Sequence, residues 1–404
     1  MSLVSPQVRQ SIINKDNHCV GFELLSQDHE KMGKLIHQDQ KRLQLILNQY
    51  TGQNSDAPIA GLKQPLFAKI SGDFCIKNEI PPILYPHLVL EIAPHYLELF
   101  SHSSLIEKEI IQGLQLCIDD FQLSELDADL INMAKFIKID AENLNSDEIS
   151  PLLLKIKSFK GKIIFKNIES HQQYEQCKSA GGHYFQGSFL GKANISRIQP
   201  LSANAQTTMS LIAALYDETS SAEQIQNIIA TDPILTTQLL KLINSAAFGV
   251  RKKIESIQQA ILFLGYNNLR QWVNLILLSR QTNKSVELMR MNLTRAAFCK
   301  KLAETLEVAD PDKAFLMGLL SMLNAYIDWP LKQLLPQLPI SDDIKLALSD
   351  ESGLLGEILN SVKQYESANW SSIEQQSLAE SVWCELYESS MNWADQIMLT
   401  LSSH

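Results

Sequence analysis

Nowhere in these 404 residues do about 18 apolar side chains run together, the length a helix needs to cross a bilayer, so no membrane insertion is expected. The first residues, MSLVSPQVRQSII, carry no apolar signal core followed by a small-residue cleavage site. The six cysteines (Cys19, Cys75, Cys117, Cys177, Cys299, Cys384) never take C-x-x-C spacing. That scatter argues against a zinc knot or a disulfide framework and for free thiols in a reducing compartment, so the expected location is cytoplasmic. Positive charge is short: 35 Lys and Arg against 45 Asp and Glu leave a net charge of −10. Nucleic acid is therefore not an expected partner, because a phosphate backbone selects clustered cations. The triplet Arg251-Lys252-Lys253 reads as a solvated loop. Histidine is missing altogether between Tyr184 and Ser403, and no P-loop, H-E-x-x-H or nucleophile-elbow motif occurs.

What is present comes in two rhythms. In the first half short apolar runs recur roughly every 20 to 28 residues: PLFAKI (65–70), LVLEI (88–92), LQLCID (114–119), FIKID (136–140), KIIFKNI (162–168) and HYFQG (183–187). Polar stretches with helical spacing lie between them, as do Leu43, Leu45, Ile46 and Leu47 in KRLQLILNQY. Such alternation indicates parallel βα units, and with the initial pair VRQSII and VGFELL it predicts a closed or nearly closed barrel. Working residues in such barrels sit where strands end, and Glu91, Asp119, Asp120, Asp140 and Glu169 fall there. Adjacent carboxylates closing a buried strand, as Asp119 and Asp120 close LQLCIDD, are a common cation site.

The second half is helical throughout. SSAEQIQNIIA predicts a capping box, Ser220 with Glu223, and Asp232-Pro233 a second helix start. ESIQQAILFLG predicts a helix ended by Gly265, and LRQWVNLILLS, TRAAFCKKLAETL and KAFLMGLLSMLNAYI continue in the same way. Asn244 and Ser245 in LINSAAFG read as a helix C-terminal turn, and the five tryptophans as packing, with any exposed one an anchor for a partner. GKANISRIQPLSANAQ (191–206) is small, polar and proline-containing, placing a boundary near 195: residues 1–195 form one domain and 196–404 another.

GFELL (21–25), LEI (90–92), IDDFQ (118–122), FIKID (136–140), the NIES segment (167–170) and FQGSF (185–189) stand in the order of an EAL domain, which the first half resembles. DPILTTQLLKLINSAAFG and SIQQAILFLGYNNLRQWV resemble the HDOD domain, a helical relative of HD-type phosphohydrolases. The chain is thus similar, over nearly its whole length, to EAL–HDOD tandem signalling proteins of bacteria. The resemblance implies α/β plus all-α architecture: a modified TIM barrel followed by an HD-like helical bundle. EAL domains hydrolyse cyclic diguanylate with divalent metal ions.

Carried over residue by residue, the family's metal ligands fall on Glu23, Glu91, Asp119 and Asp120, its water-assisting lysine on Lys138 and its late glutamine on Gln186. Two ligands have changed. Lys69 stands where the family has Asn, and Lys166 where it has Glu. An ammonium has three donors and no lone pair, so it cannot coordinate a cation. Two added positive charges are enough to stand in for one divalent ion. Lys69 and Lys166 are therefore expected to make ion pairs with Glu23, Glu91 and the Asp pair, leaving a remnant site with no metal, no cofactor and no catalysis. Gln27 replaces an Arg that grips the nucleotide, and Gln122 replaces a Gly at a close approach, both against ligand binding. Ser11 replaces a Pro, a backbone change only.

In the helical half, the missing histidines remove the ligands on which HD-type metal chemistry depends. The expected function is that of a catalytically inactive regulatory protein, binding unidentified signalling proteins through its HDOD domain. A homodimer through the barrels is a further option that the resemblance implies. The alternatives are a Mg- or Mn-dependent cyclic-di-GMP phosphodiesterase and an inactive cyclic-di-GMP receptor.

Overall fold

A computed structural model describes residues 7–26, 43, 64–94, 96–119, 121, 131–142, 144, 146–194, 203–216, 222–230, 232–245, 248–250, 252–279 and 284–402. Two compact units divide it, Gln7–Phe189 and Leu190–His404. Ser220, Gln27, Asp120, Gln122 and most of KRLQLILNQY lie outside the described residues.

The first unit is a closed barrel of eight strands in sequence order: β1 (Gln7–Asn14), β2 (Cys19–Ser26), β3 (Leu66–Lys69), β4 (Leu88–Ile92), β5 (Gln115–Ile118), β6 (Phe136–Asp140), β7 (Lys162–Lys166) and β8 (Tyr184–Phe185). From β2 to β8 all neighbours are parallel, but β1 runs antiparallel to both β2 and β8. The cause is local. The turn after β1 is too short for a crossover, and Asn14 closes it by accepting the backbone N–H groups of Asp16 and His18 at 2.9 Å each.

Alternation along the strands builds the interior in layers. Ile12, Phe67, Val89, Cys117, Phe136 and Ile164 pack together as a dry plug, with Tyr184 against it. Two residues further along the parallel strands the same inward face becomes polar: Lys69 follows Phe67, Glu91 follows Val89, Asp119 follows Cys117, Lys138 follows Phe136, Lys166 follows Ile164, and Gln186 follows Tyr184. Glu23 lies opposite Gln10 in the β1–β2 register, and Gln10 stands two residues before Ile12 on the strand that runs the other way. The plug therefore sets the height of a charged layer above it.

The second unit is helical. Asp232 caps α1 (Pro233–Ile243) through the Leu235 N–H, with Pro233 in its first turn, and Asp310 with Pro311 repeats the device at the start of Pro311–Leu320. Ile257–Ser279, here α2, is broken at Gly265, whose φ of 74° no β-branched or bulky residue tolerates well. Helix α3 (Val286–Leu306) packs most extensively against α4 (Pro311–Leu320) and α5 (Glu380–Ser402). Phe298 of α3 meets Tyr365 and Trp383 edge-on at 5.4 and 5.9 Å, and Trp383 is fully buried.

Asn244 is indeed a turn residue. It donates to the carbonyls of Leu240 and Ile254 at 2.7 Å each and accepts the Ile254 N–H at 2.8 Å, so one amide ties the end of α1 to the segment before α2. Removing it leaves those backbone groups short of a partner. Asn244→Ala should destabilise the unit by about 2–3 kcal/mol. All five tryptophans belong to this unit, so their fluorescence during urea unfolding follows it selectively. An unmoved midpoint would refute the role given to Asn244.

Candidate functional site

At the centre of the charged layer is Lys138, the inward residue in the middle of β6, with no solvent exposure at all. Its ammonium lies 2.8 Å from Glu23 Oε2 and in direct contact with Glu91 Oε1. The Phe67 ring of the plug sits beneath, its centroid 5.5 Å from Lys138 Nζ, close enough for a cation–π contribution. Gln186 closes the side toward β1: its Nε2 donates to Gln10 Oε1 at 2.6 Å and also to Glu23 Oε2. Gln186 follows β8 and is held by its backbone, its N–H on the Phe165 carbonyl at 2.8 Å and its own carbonyl on the Ile168 N–H at 3.0 Å. The next residue must be glycine, since a Cβ on Gly187 would come within 2.0 Å of the Ile168 carbonyl oxygen.

Asp119, just past β5, forms a second focus. Lys166 Nζ is 2.7 Å from its Oδ1 and Lys69 Nζ 3.3 Å from its Oδ2. The lysines differ in setting: the Lys69 side chain is 47% exposed and that of Lys166 only 13%. After Lys166 the chain turns through Asn167 in the left-handed region (φ 57°), and the Asn167 amide donates to Asp140 Oδ2 at 2.8 Å. The Asp140 carboxylate also accepts the Glu142 N–H, so its bonds shape a turn. Glu169 is exposed.

The structure thus brings Glu23, Glu91, Asp119, Lys69, Lys138, Lys166 and Gln186 together around one polar layer. The division of partners differs from the sequence expectation. The two glutamates go to Lys138, while Lys69 and Lys166 both reach Asp119. The division follows burial and not strand register, which sets Lys69 beside Glu91: Lys138, Glu23 and Glu91 are buried, while Lys69 and Lys166, the last residues of β3 and β7, keep access to solvent. Sequence reasoning misses Gln10 and Phe67. The strict alternation of β1 and β3 could have placed both on the inward face.

Electrostatics separates the acids. Burial opposes ionisation of Asp119, but Lys166, Lys138 and Lys69 outweigh it and hold its carboxyl below the usual range. Glu23 is likewise lowered, burial being overcome by the Lys138 charge and by hydrogen bonds from Lys138 and Gln186. Glu91 moves the other way: burial first, then the Glu23 charge, push it well above the usual range against the pull of Lys138. Burial would lower Lys138, yet the facing carboxylates raise it. Each described carboxylate in the layer thus faces an ammonium, and among the described residues no three His, Cys, Asp or Glu side chains are placed to share one cation.

Residues 201–327 match the family model of the HDOD domain, so the second unit contains one. Over 96% of its length the chain is 27% identical to the cyclic di-GMP phosphodiesterase CdgJ of Vibrio cholerae, covering 92% of that protein. It is 26% identical to the uncharacterized protein YuxH of Bacillus subtilis, over 96% of this chain and 98% of that one. Among solved structures, the FimX EAL domain from Pseudomonas aeruginosa bound to c-di-GMP aligns with 46% of this chain and 88% of its own, at 19% identity and a TM-score of 0.34.

Removing the central cation leaves two buried glutamates without a counter-charge, so Lys138→Met should cost about 3–5 kcal/mol at neutral pH. Barrel unfolding followed by circular dichroism would show it, and a loss below about 1 kcal/mol would mean the pair is worth no more than a surface one. Glu91 supplies a pH test. Its folded value is raised, so the native state binds its proton more tightly than the unfolded chain does. Stability from this group is therefore lost as pH rises from the unfolded carboxylate value through the raised one. Glu91→Gln removes that loss and should gain on wild type as pH rises above the ordinary carboxylate value, about 4. Parallel pH profiles would show that Glu91 ionises in the fold without penalty.

Proposed function

We propose that this chain is a catalytically inactive signalling protein of a cyclic-di-GMP-related bacterial pathway. In this reading residues 1–195 are a degenerate EAL barrel and 196–404 an HDOD helical domain that engages partner signalling proteins. One observation carries it: the ammoniums of Lys166 and Lys69 lie on the two oxygens of Asp119, where a metal-dependent phosphodiesterase requires a divalent ion. Metal-assisted hydrolysis needs several oxygen ligands around each ion, to activate water and neutralise the developing charge. Here a cation approaching Asp119 meets two ammoniums, with Lys138 occupying the space between Glu23 and Glu91. The donor set does not fit the ion. The proposal accordingly assigns no cofactor, no nucleic acid and no membrane insertion, and it leaves room for a homodimer.

A second reading has its own support, since a relative 27% identical over 96% of this chain is named a cyclic di-GMP phosphodiesterase. Activity here would require Lys69 and Lys166 to swing off Asp119, and the half-exposed Lys69 is the easier of the two to move. An inactive receptor for the dinucleotide is the intermediate case.

Titration calorimetry of the whole chain with Mg²⁺ or Mn²⁺, then with cyclic di-GMP, while linear product is assayed, separates the readings. Silence in all three supports a partner-binding scaffold. Dinucleotide uptake without turnover makes it a receptor, and turnover that scales with metal refutes the inactive reading. The double variant Lys69→Asn with Lys166→Glu should take up Mn²⁺ at least about tenfold more tightly than wild type, since two repelling charges become two oxygen ligands. Unchanged metal affinity would show that the lysines are not what excludes the ion.

A further inference from the structure

A cavity of about 460 Å³ lies within the helical unit and shares no residue with the barrel cluster. Four aromatic rings line it, packed on one another at angles of 49° to 87°. Trp272 of α2 touches Phe248 edge-on with centroids 4.8 Å apart, Trp393 of α5 lies 5.7 Å from Trp272, and Phe315 of α4 lies 5.9 Å from Trp393. Trp272 and Phe315 are buried, so their planes are fixed by packing. One wall is Phe263 and Leu264, the last residues before the break at Gly265. Phe263 is 48% exposed, an apolar ring left at the mouth.

The polar groups are few. Gln271, only 6% exposed, donates its Nε2 to the Asp312 carbonyl at 3.1 Å, which leaves its Oε1 to accept a hydrogen bond at the cavity wall. Lys300 and Lys301 stand side by side on α3, and Lys300 reaches Asp312 Oδ1 at 2.8 Å. Lys301 is half-buried, and burial lowers it from its ordinary value against the opposing pull of Glu304 and Glu385. A purely apolar occupant would leave these ammoniums further desolvated with nothing gained. A flat ring system fits against the partly exposed rings of Phe263 and Trp393, a ring N–H or exocyclic amine fits the Gln271 oxygen, and an acidic group fits the lysines. The volume is in the range, about 300–1,000 Å³, that holds one small molecule.

We propose that this cavity is a binding site for a nucleoside monophosphate, with the base against the accessible rings of Phe263 and Trp393 and the phosphate at Lys300 and Lys301. The site is independent of the barrel reading, so either stands if the other fails.

The full chain is titrated with adenosine and guanosine 5′-monophosphates and with the two nucleosides, following tryptophan fluorescence and calorimetry. Saturable quenching by a nucleotide is expected, with the matching nucleoside roughly tenfold weaker because it lacks the charge-assisted contacts. Lys301→Gln should remove roughly tenfold from nucleotide binding and nothing from nucleoside binding. Phe263→Ala should weaken both, and Ala297→Leu, which fills the cavity, should abolish both. No saturable response to either nucleotide overturns the proposal. So does binding indifferent to the phosphate, or binding that survives Ala297→Leu. If Ala297→Leu fails to fold, the variants Lys301→Gln and Phe263→Ala decide, and unchanged affinity in both overturns the site.

Discussion

A fully buried ammonium pinned between two carboxylates is the constraint around which the barrel is organised. Lys138 cannot be solvated where it stands, and neither Glu23 nor Glu91 can stay there as an isolated anion. Each group makes the others tolerable. The arrangement requires β2, β4 and β6 to hold their register, because a slip of one residue would turn all three side chains to the outer face. The plug beneath, from Ile12 to Ile164, enforces that register with apolar packing. Apolar packing fixes the height of the charges, and the charges in turn penalise any other strand alignment.

The two units solve the problem of buried polarity differently. The barrel gathers full charges and balances them against one another. The helical unit pairs charges too, Glu287 with Arg290 and Glu366 with Arg295, but it also ties a neutral amide to backbone, as Asn244 does with Leu240 and Ile254. That amide uses local partners, whereas the barrel's charges draw counter-ions from distant strands: Lys166 and Asp119 are 47 residues apart in sequence. A damaged amide thus loosens one turn, while a damaged charge reaches across the barrel.

Much of this was legible in the sequence, for reasons that differ by element. The runs from PLFAKI to HYFQG each hold a strand of the closed barrel, because buried parallel strands carry continuous apolar runs and their spacing leaves room for helices. The reversal of β1 was less visible, since a strand's direction is set by the length of its connection. The charged layer was readable as a set, through the order of Glu23, Lys69, Glu91, Asp119, Lys138, Lys166 and Gln186. Its internal pairing was not, because Lys69 stands beside Glu91 in register yet reaches Asp119, a choice made by side-chain direction and burial in the assembled barrel. In the helical half Asp232-Pro233 announced its helix, and Gly265 announced a break, through backbone chemistry that needs no tertiary context. The cavity lining was invisible: Phe248, Trp272, Phe315 and Trp393 come from four separated segments, and only the assembled unit brings their rings together.

The antiparallel strand β1 also governs the order in which the barrel can be made. Its hairpin with β2 closes over a few residues, but its other edge pairs Ile13 with Phe185, the far end of the unit. On a ribosome the hairpin is complete long before Tyr184 and Phe185 emerge. Through most of synthesis β1 carries an unpaired edge beside the apolar plug residue Ile12, the kind of template that recruits strands from other chains. Closure of so long a loop is the slow, entropically costly step. Until the last two-residue strand arrives, the barrel stays open at that edge.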